Sequence, residues 1–156
     1  MIGDKIIKDI RSGVARKYNF SKEVDDIEYF IQIEDFDRFS LVLKEIEFKN
    51  VRSNNSVDLS EFKNKVQRLE DKLSYFIELP KLYEINKNEL VSQLRSNPSE
   101  GQSGAINYYE ILFSKGNRIK FYRISNQKGN KEKINMVIPD NILIRLLNDF
   151  SETLKI

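Results

Sequence analysis

The sequence predicts an α+β fold in which an antiparallel sheet carries helices packed on one of its faces. Three observations predict it. Stretches at 27–34, 38–49, 106–113, 118–125 and 134–138 alternate apolar and polar side chains and are rich in Ile, Val, Tyr and Phe. A period of two in such residues marks a strand with one buried side. Stretches at 58–76 and 140–154 repeat their apolar residues every three or four positions, the spacing of a helix with one apolar face. The order strand, turn, strand, polar loop, helix then occurs in both halves of the chain.

The chain begins with a helical spacing over 4–18, where Ile6, Ile7, Ile10 and Val14 form the apolar stripe and Asp4 is placed to cap it. Lys5, Lys8, Arg11, Arg16 and Lys17 make this segment basic. A narrow stripe without aromatic residues suits packing on the protein body better than a membrane surface, and no membrane partner is expected. The strand at 27–34 puts Ile27, Tyr29, Ile31 and Ile33 on one side, and Asp35-Phe36-Asp37 turns the chain. In the returning strand, 38–49, the apolar parity changes between Leu43 and Ile46, so a bulge is expected at Lys44-Glu45. The following helix opens with Asp58 and Glu61 spaced as a capping box, and Val57 can staple against Phe62.

Residues 78–86 contain Pro80 and read as irregular chain or a short edge strand. Residues 86–94 read as a short helix capped by Asn86, with a strand as the alternative. Residues 96–105 are rich in Ser, Gly, Asn and Pro and read as a flexible loop. Past it come the strand at 106–113, a tight turn at 114–117, the strand at 118–125, a polar loop at 126–133, the strand at 134–138 and the helix at 140–154. Lys115-Gly116-Asn117 supplies the positive φ that a hairpin needs, and Asp140 is placed to cap the last helix. Ile119, Phe121, Ile134, Met136, Ile138, Leu146, Leu147 and Phe150 are expected in the core.

Composition narrows the chemistry. The chain has 156 residues, 40% hydrophobic and 32% charged, which suits a single globular domain over 1–156. It has no run of about 18 apolar residues and no signal-type apolar segment at its start, so an intracellular protein, cytoplasmic or of the nucleoid, is expected. Cysteine and histidine are both absent. That excludes disulfides, imidazole general-base catalysis and His/Cys metal sites. No cofactor is expected. The net charge is only +2, so any basic surface must come from local clustering.

Side by side, the units 27–77 and 106–154 share one order and nearly one length, as a tandem strand-strand-strand-helix repeat joined by the loop at 96–105 would. Within the second, YYEILFSKGNRIKFYRIS, a polar loop and INMVIPDNILIRLLNDF resemble one repeat of the purine-rich-element-binding (Pur) proteins. The layout is also similar to that of the Whirly proteins and related single-stranded-DNA-binding coactivators. The resemblance implies a curved antiparallel sheet followed by a helix. It also implies binding of single-stranded DNA or RNA on the open sheet face, and pairing of units in tandem or as a homodimer.

Charge separates the two units. Between Ile106 and Ile138 the cations Lys115, Arg118, Lys120, Arg123, Lys128, Lys131 and Lys133 face only Glu110 and Glu132, whereas acids predominate in the first hairpin. Binding a single strand needs cations for phosphates and aromatic rings for bases. Arg118, Lys120 and Tyr122 lie opposite Ile119 and Phe121 on their strand, so they point to the open face if the latter go under the helix. With Arg123 and the loop lysines Lys128, Lys131 and Lys133 they form the candidate nucleic-acid site. Ordinary solvated lysines are the bland alternative.

Two other functions compete. Glu47-Phe48-Lys49 with Asp35 upstream has the form of a metal-dependent nuclease site, in which Asp35 and Glu47 would hold Mg²⁺ and Lys49 would orient water. Carboxylates in or near a turn fit that poorly, and the chain has no phosphate-cradling loop, nucleophile elbow or zinc spacing, so no enzyme is expected. The second competitor is a scaffold or subunit protein, with the Leu59–Phe76 stripe or the acidic hairpin meeting a protein partner.

Overall fold

The computed structural model describes residues 1–13, 15–52, 57–76, 78–101 and 104–155. The elements are α1 (Ile2–Arg11), β1 (Tyr18–Val24), β2 (Ile27–Phe36), β3 (Ser40–Asn50) and α2 (Leu59–Lys72, continued by a 3-10 turn at Leu73–Tyr75). They continue with β4 (Pro80–Asn86), β5 (Val91–Ser96), β6 (Ser99–Glu100), β7 (Ile106–Ser114), β8 (Arg118–Gln127), β9 (Asn130–Ile134), β10 (Met136–Pro139) and α3 (Asp140–Leu154). The strands form one antiparallel sheet in the order β1-β2-β3-β8-β7-β5-β4, with β6 on β7, β9 on β8 and β10 on β3. The three helices pack on one face of it, as expected.

The period-two pattern explains which face that is. β2 buries Ile27, Tyr29, Ile31 and Ile33, β3 buries Leu41, Leu43, Ile46 and Phe48, and β8 buries Ile119 and Phe121. The expected bulge is present: Gln32 pairs with Glu45 and Ile33 with Leu43, so Lys44 is the extra residue that changes the parity. Helix α2 adds Phe62, Val66 and Leu69, and α3 adds Leu143, Leu146, Leu147, Phe150 and Leu154. Phe150 meets Phe48 and Phe121 edge-on at 5.7 and 5.8 Å between ring centroids, joining both halves of the sheet under one helix. Asp58 caps α2 by accepting from the Glu61 N–H at 2.8 Å.

Helix α1 lies on α3. Gly3 makes this approach work, because a β-carbon there would run into the Ile144 carbonyl of α3. Arg11, in the last turn of α1, holds both carboxylate oxygens of Asp140 at 2.8 and 2.7 Å and donates to the Asp37 carbonyl at 2.6 Å. One guanidinium thus ties α1, α3 and the β2–β3 turn together.

Several expectations need correction. The first helix stops at Arg11, and Asp4 lies in its first turn without capping it. The tyrosine at 18 instead begins β1, an edge strand in which only Phe20 is buried. Strand β2 runs through Phe36, so the turn is made at 37–39, where Asp37 accepts from the Phe39 and Ser40 N–H groups. Those bonds hold its carboxyl below the usual carboxylate range.

No helix forms at 86–94. Asn86 does accept from the N–H groups of Asn88 and Glu89, but the bonds close a turn that leads into β5. Pairing of β5 with both β4 and β7 outweighs the local helical spacing. The loop at 96–105 contains β6, which pairs with the start of β7. The polar loop at 126–133 is a hairpin turning at Lys128-Gly129, both at positive φ. Ile134 is only partly buried, because the chain leaves β8 there and crosses at Asn135 to join β3 as β10. Asp140 begins α3 as expected, but its carboxylate goes to Arg11 rather than to a cap. The expected places of Val14 in the first helix, of 53–56 in the polar loop and of 102–103 in the flexible loop lie outside the described residues.

Candidate nucleic-acid interface

Cross-strand partners point to the same side of a sheet. The register therefore lays out the face away from the helices in rows. One row runs Lys81, Arg95, Glu110, Tyr122, Glu45, Gln32 and Asn19. The next runs Gln93, Leu112, Lys120, Glu47, Phe30 and Ser21. A third holds Val91, Ser114, Arg118, Lys49, Glu28 and Glu23. On the other side of the first row, Tyr108 faces Ile124, which faces Lys133.

This face is a lattice of opposite charges. Arg118 Nε lies 3.3 Å from Glu47, Lys133 Nζ 2.6 Å from Glu45, and Arg95 Nε 3.0 Å from Glu110. Lys120, Lys128 and Lys131 form no ion pair among the described residues. The first lies on β8; the other two are exposed on the β8–β9 hairpin.

Two candidate residues are placed differently from expectation. Tyr122 is on the expected face but only 6% exposed, packed with Tyr108 and Ile124 under the Lys133 ammonium, which sits 4.6 Å from its ring centroid. Its hydroxyl donates to Glu110, and burial first, then that carboxylate, pushes the phenol well above its usual range. It has no ring surface to offer a base. Arg123 has the parity of Phe121 and points to the helix side. Its guanidinium lies 4.3 Å over the Tyr109 ring and bonds Glu78 at 2.6 Å and Ser99 at 3.1 Å. Its partners make it a structural cation.

The nuclease residues are not brought together. Asp35 is paired with Arg16 at 3.0 Å and Glu47 with Arg118. Glu47 is opposite Phe30 while Asp35 is opposite Val42, which separates the two acids by about 17 Å along the strands. Among the described residues no cluster of three His, Cys, Asp or Glu side chains is arranged to hold a metal ion. The apolar stripe of α2, a candidate partner surface, is taken up by the core through Phe62, Val66, Leu69, Leu73 and Phe76.

The sequence reading missed a second group on this face. Arg95 lies between two rings, its guanidinium carbon 3.9 Å from the centroid of Tyr83 and 4.9 Å from that of Tyr108. The only signal was the alternation of β4 and β5, which the proline and the helical spacing obscured.

The fold and face define an α+β protein with one antiparallel sheet, helices on one side and a polar, partly aromatic side left open. Comparison with known proteins gives no matching family model, no matching curated protein and no matching solved structure. Among the described residues no helix is long and apolar enough to cross a membrane.

Proposed function

We propose that this protein binds single-stranded nucleic acid, without catalysis, on the open sheet face and the β8–β9 hairpin. The observation that carries the reading is the trio Lys120, Lys128 and Lys131, three cations that form no ion pair among the described residues, in or beside a sheet face that also offers aromatic rings. Arg118 and Lys133 extend the trio. Their glutamate partners are held in partly exposed pairs, which contribute about 0–1 kcal/mol each, so a phosphate can replace the carboxylate at small cost. The Pur-like layout of the second unit supports the same reading.

The test is titration of a fluorescent single-stranded oligonucleotide at two salt concentrations. Neutralising phosphates with these five cations gives a slope of log K against log salt of about −3.5. Replacing Lys128 and Lys131 together by alanine should weaken binding about equally for all sequences and flatten that slope by about 1.4. Absence of binding at low salt, or a double variant that binds like the parent, would refute the reading.

One observation favours a protein partner or second copy as the alternative. Phe39 is 72% exposed and Val137 61%, on the neighbouring β2–β3 turn and β10. Sedimentation at rising protein concentration reads self-association directly.

A further inference from the structure

The end of the open face formed by β4, β5 and β7 contains a cleft of about 250 Å³, lined among others by Lys81, Tyr83, Arg95, Asn97, Pro98 and Tyr108. We propose that this cleft seats one nucleobase of the bound strand; the proposal rests on the single-strand reading above.

Three features define the ligand. Tyr83 is 61% exposed although the Arg95 guanidinium lies against its ring at 3.9 Å. A ring backed by a cation and open to solvent is a stacking platform for a flat partner. The Tyr108 hydroxyl is buried without a hydrogen-bond partner among the described residues. Leaving such a group unsatisfied is costly, so a ligand whose edge reaches it with a polar atom is favoured over an aliphatic one. Arg95 is charge-paired with Glu110 through Nε at 3.0 Å, so a bare anion meets a guanidinium whose charge is already balanced. A flat ring with a hydrogen-bonding edge is a nucleobase.

The surroundings suit the rest of a nucleotide. Lys81 has a side chain 66% exposed, and its ammonium is 3.8 Å from Glu70, a loose pair that a phosphate can replace. Tyr108 and Lys133 are two strands apart, about 10 Å across the sheet, so one strand can reach the cleft and the basic hairpin together.

The experiment compares an oligothymidylate with an abasic oligonucleotide of the same length and charge, by fluorescence anisotropy. The parent protein should bind the base-bearing strand at least about fivefold more tightly. Tyr83→Ala should abolish that preference while leaving the affinity for the abasic strand unchanged. Tyr108→Phe, which keeps the ring and removes the hydroxyl, should reduce the preference. Circular dichroism melts confirm that both variants fold. Equal binding of both strands by the parent overturns the cleft while the electrostatic reading stands. A preference that survives Tyr83→Ala also overturns it, because the base is then taken elsewhere. No binding of either strand overturns both.

Discussion

Replacing Glu110 by glutamine should destabilise the protein by about 3 kcal/mol. Glu110 is 6% exposed on the open face and accepts from Arg95 Nε at 3.0 Å and from the Tyr122 hydroxyl. A hydrogen bond to a charged group contributes about 1.5–3 kcal/mol, so the two together reach about 3–6. Glutamine keeps one carbonyl acceptor, worth about 1 kcal/mol, but leaves the half-buried guanidinium with only the two tyrosine rings to balance it. The net loss of about 3 kcal/mol corresponds to a fall in Tm of about 6–12 °C for a chain of this size. The more discriminating variant is Arg95→Met combined with Glu110→Gln. Removing one partner of a buried pair costs more than removing both, so the double variant should be no less stable than Glu110→Gln alone. Urea denaturation followed by circular dichroism measures all of these. Strictly additive losses, or a Glu110→Gln variant within about 0.5 kcal/mol of the parent, would refute the argument.

Two further predictions concern the helix side. Lys65 is 9% exposed, its ammonium reaches only the Gly116 carbonyl at 3.5 Å among the described residues, and burial lowers its pKa from 10.5. Lys65→Met should therefore stabilise the protein at pH 7 by on the order of 1 kcal/mol. Between the lowered folded pKa and 10.5 the unfolded chain binds more protons, so the parent's own stability rises with pH there and its deficit against the variant shrinks, which melts from pH 7 upward will show. Gly116→Ala should cost about 1–2 kcal/mol in urea denaturation, since φ is +74° and the new β-carbon would lie 3.1 Å from a Val57 methyl.

Much of the fold was legible because burial repeats with the local backbone period. The α3 helix over 140–154, the β7–β8 hairpin and the bulge at Lys44 are all written in the spacing of their own apolar residues. The strands that were missed lack that signal. β9, Asn130–Ile134, buries none of its first four side chains and is held by the backbone of β8. β5 buries Ser92 and Ser96 along with Leu94, so its alternation is hidden from a hydropathic reading. The candidate site was legible only as strand parity. Parity put Arg118, Lys120 and Tyr122 on the open side, but Tyr122 is closed over by Glu110 and Lys133, while Tyr83 and Phe30 are exposed rings there.

By itself the sequence determined the fold class, the single apolar face of each long element and the absence of histidine and cysteine chemistry, because these depend only on residue type and period. Only the tertiary structure decided which charges meet. Pairing β3 with β8 sets Glu45 opposite Tyr122 and Glu47 opposite Lys120, residues far apart in the chain. That register brings Glu47 to Arg118 and Glu45 to Lys133, while Lys120, Lys128 and Lys131 form no such pair among the described residues. Coulomb attraction acts through space over a few ångströms, and no local pattern along the chain encodes that distance.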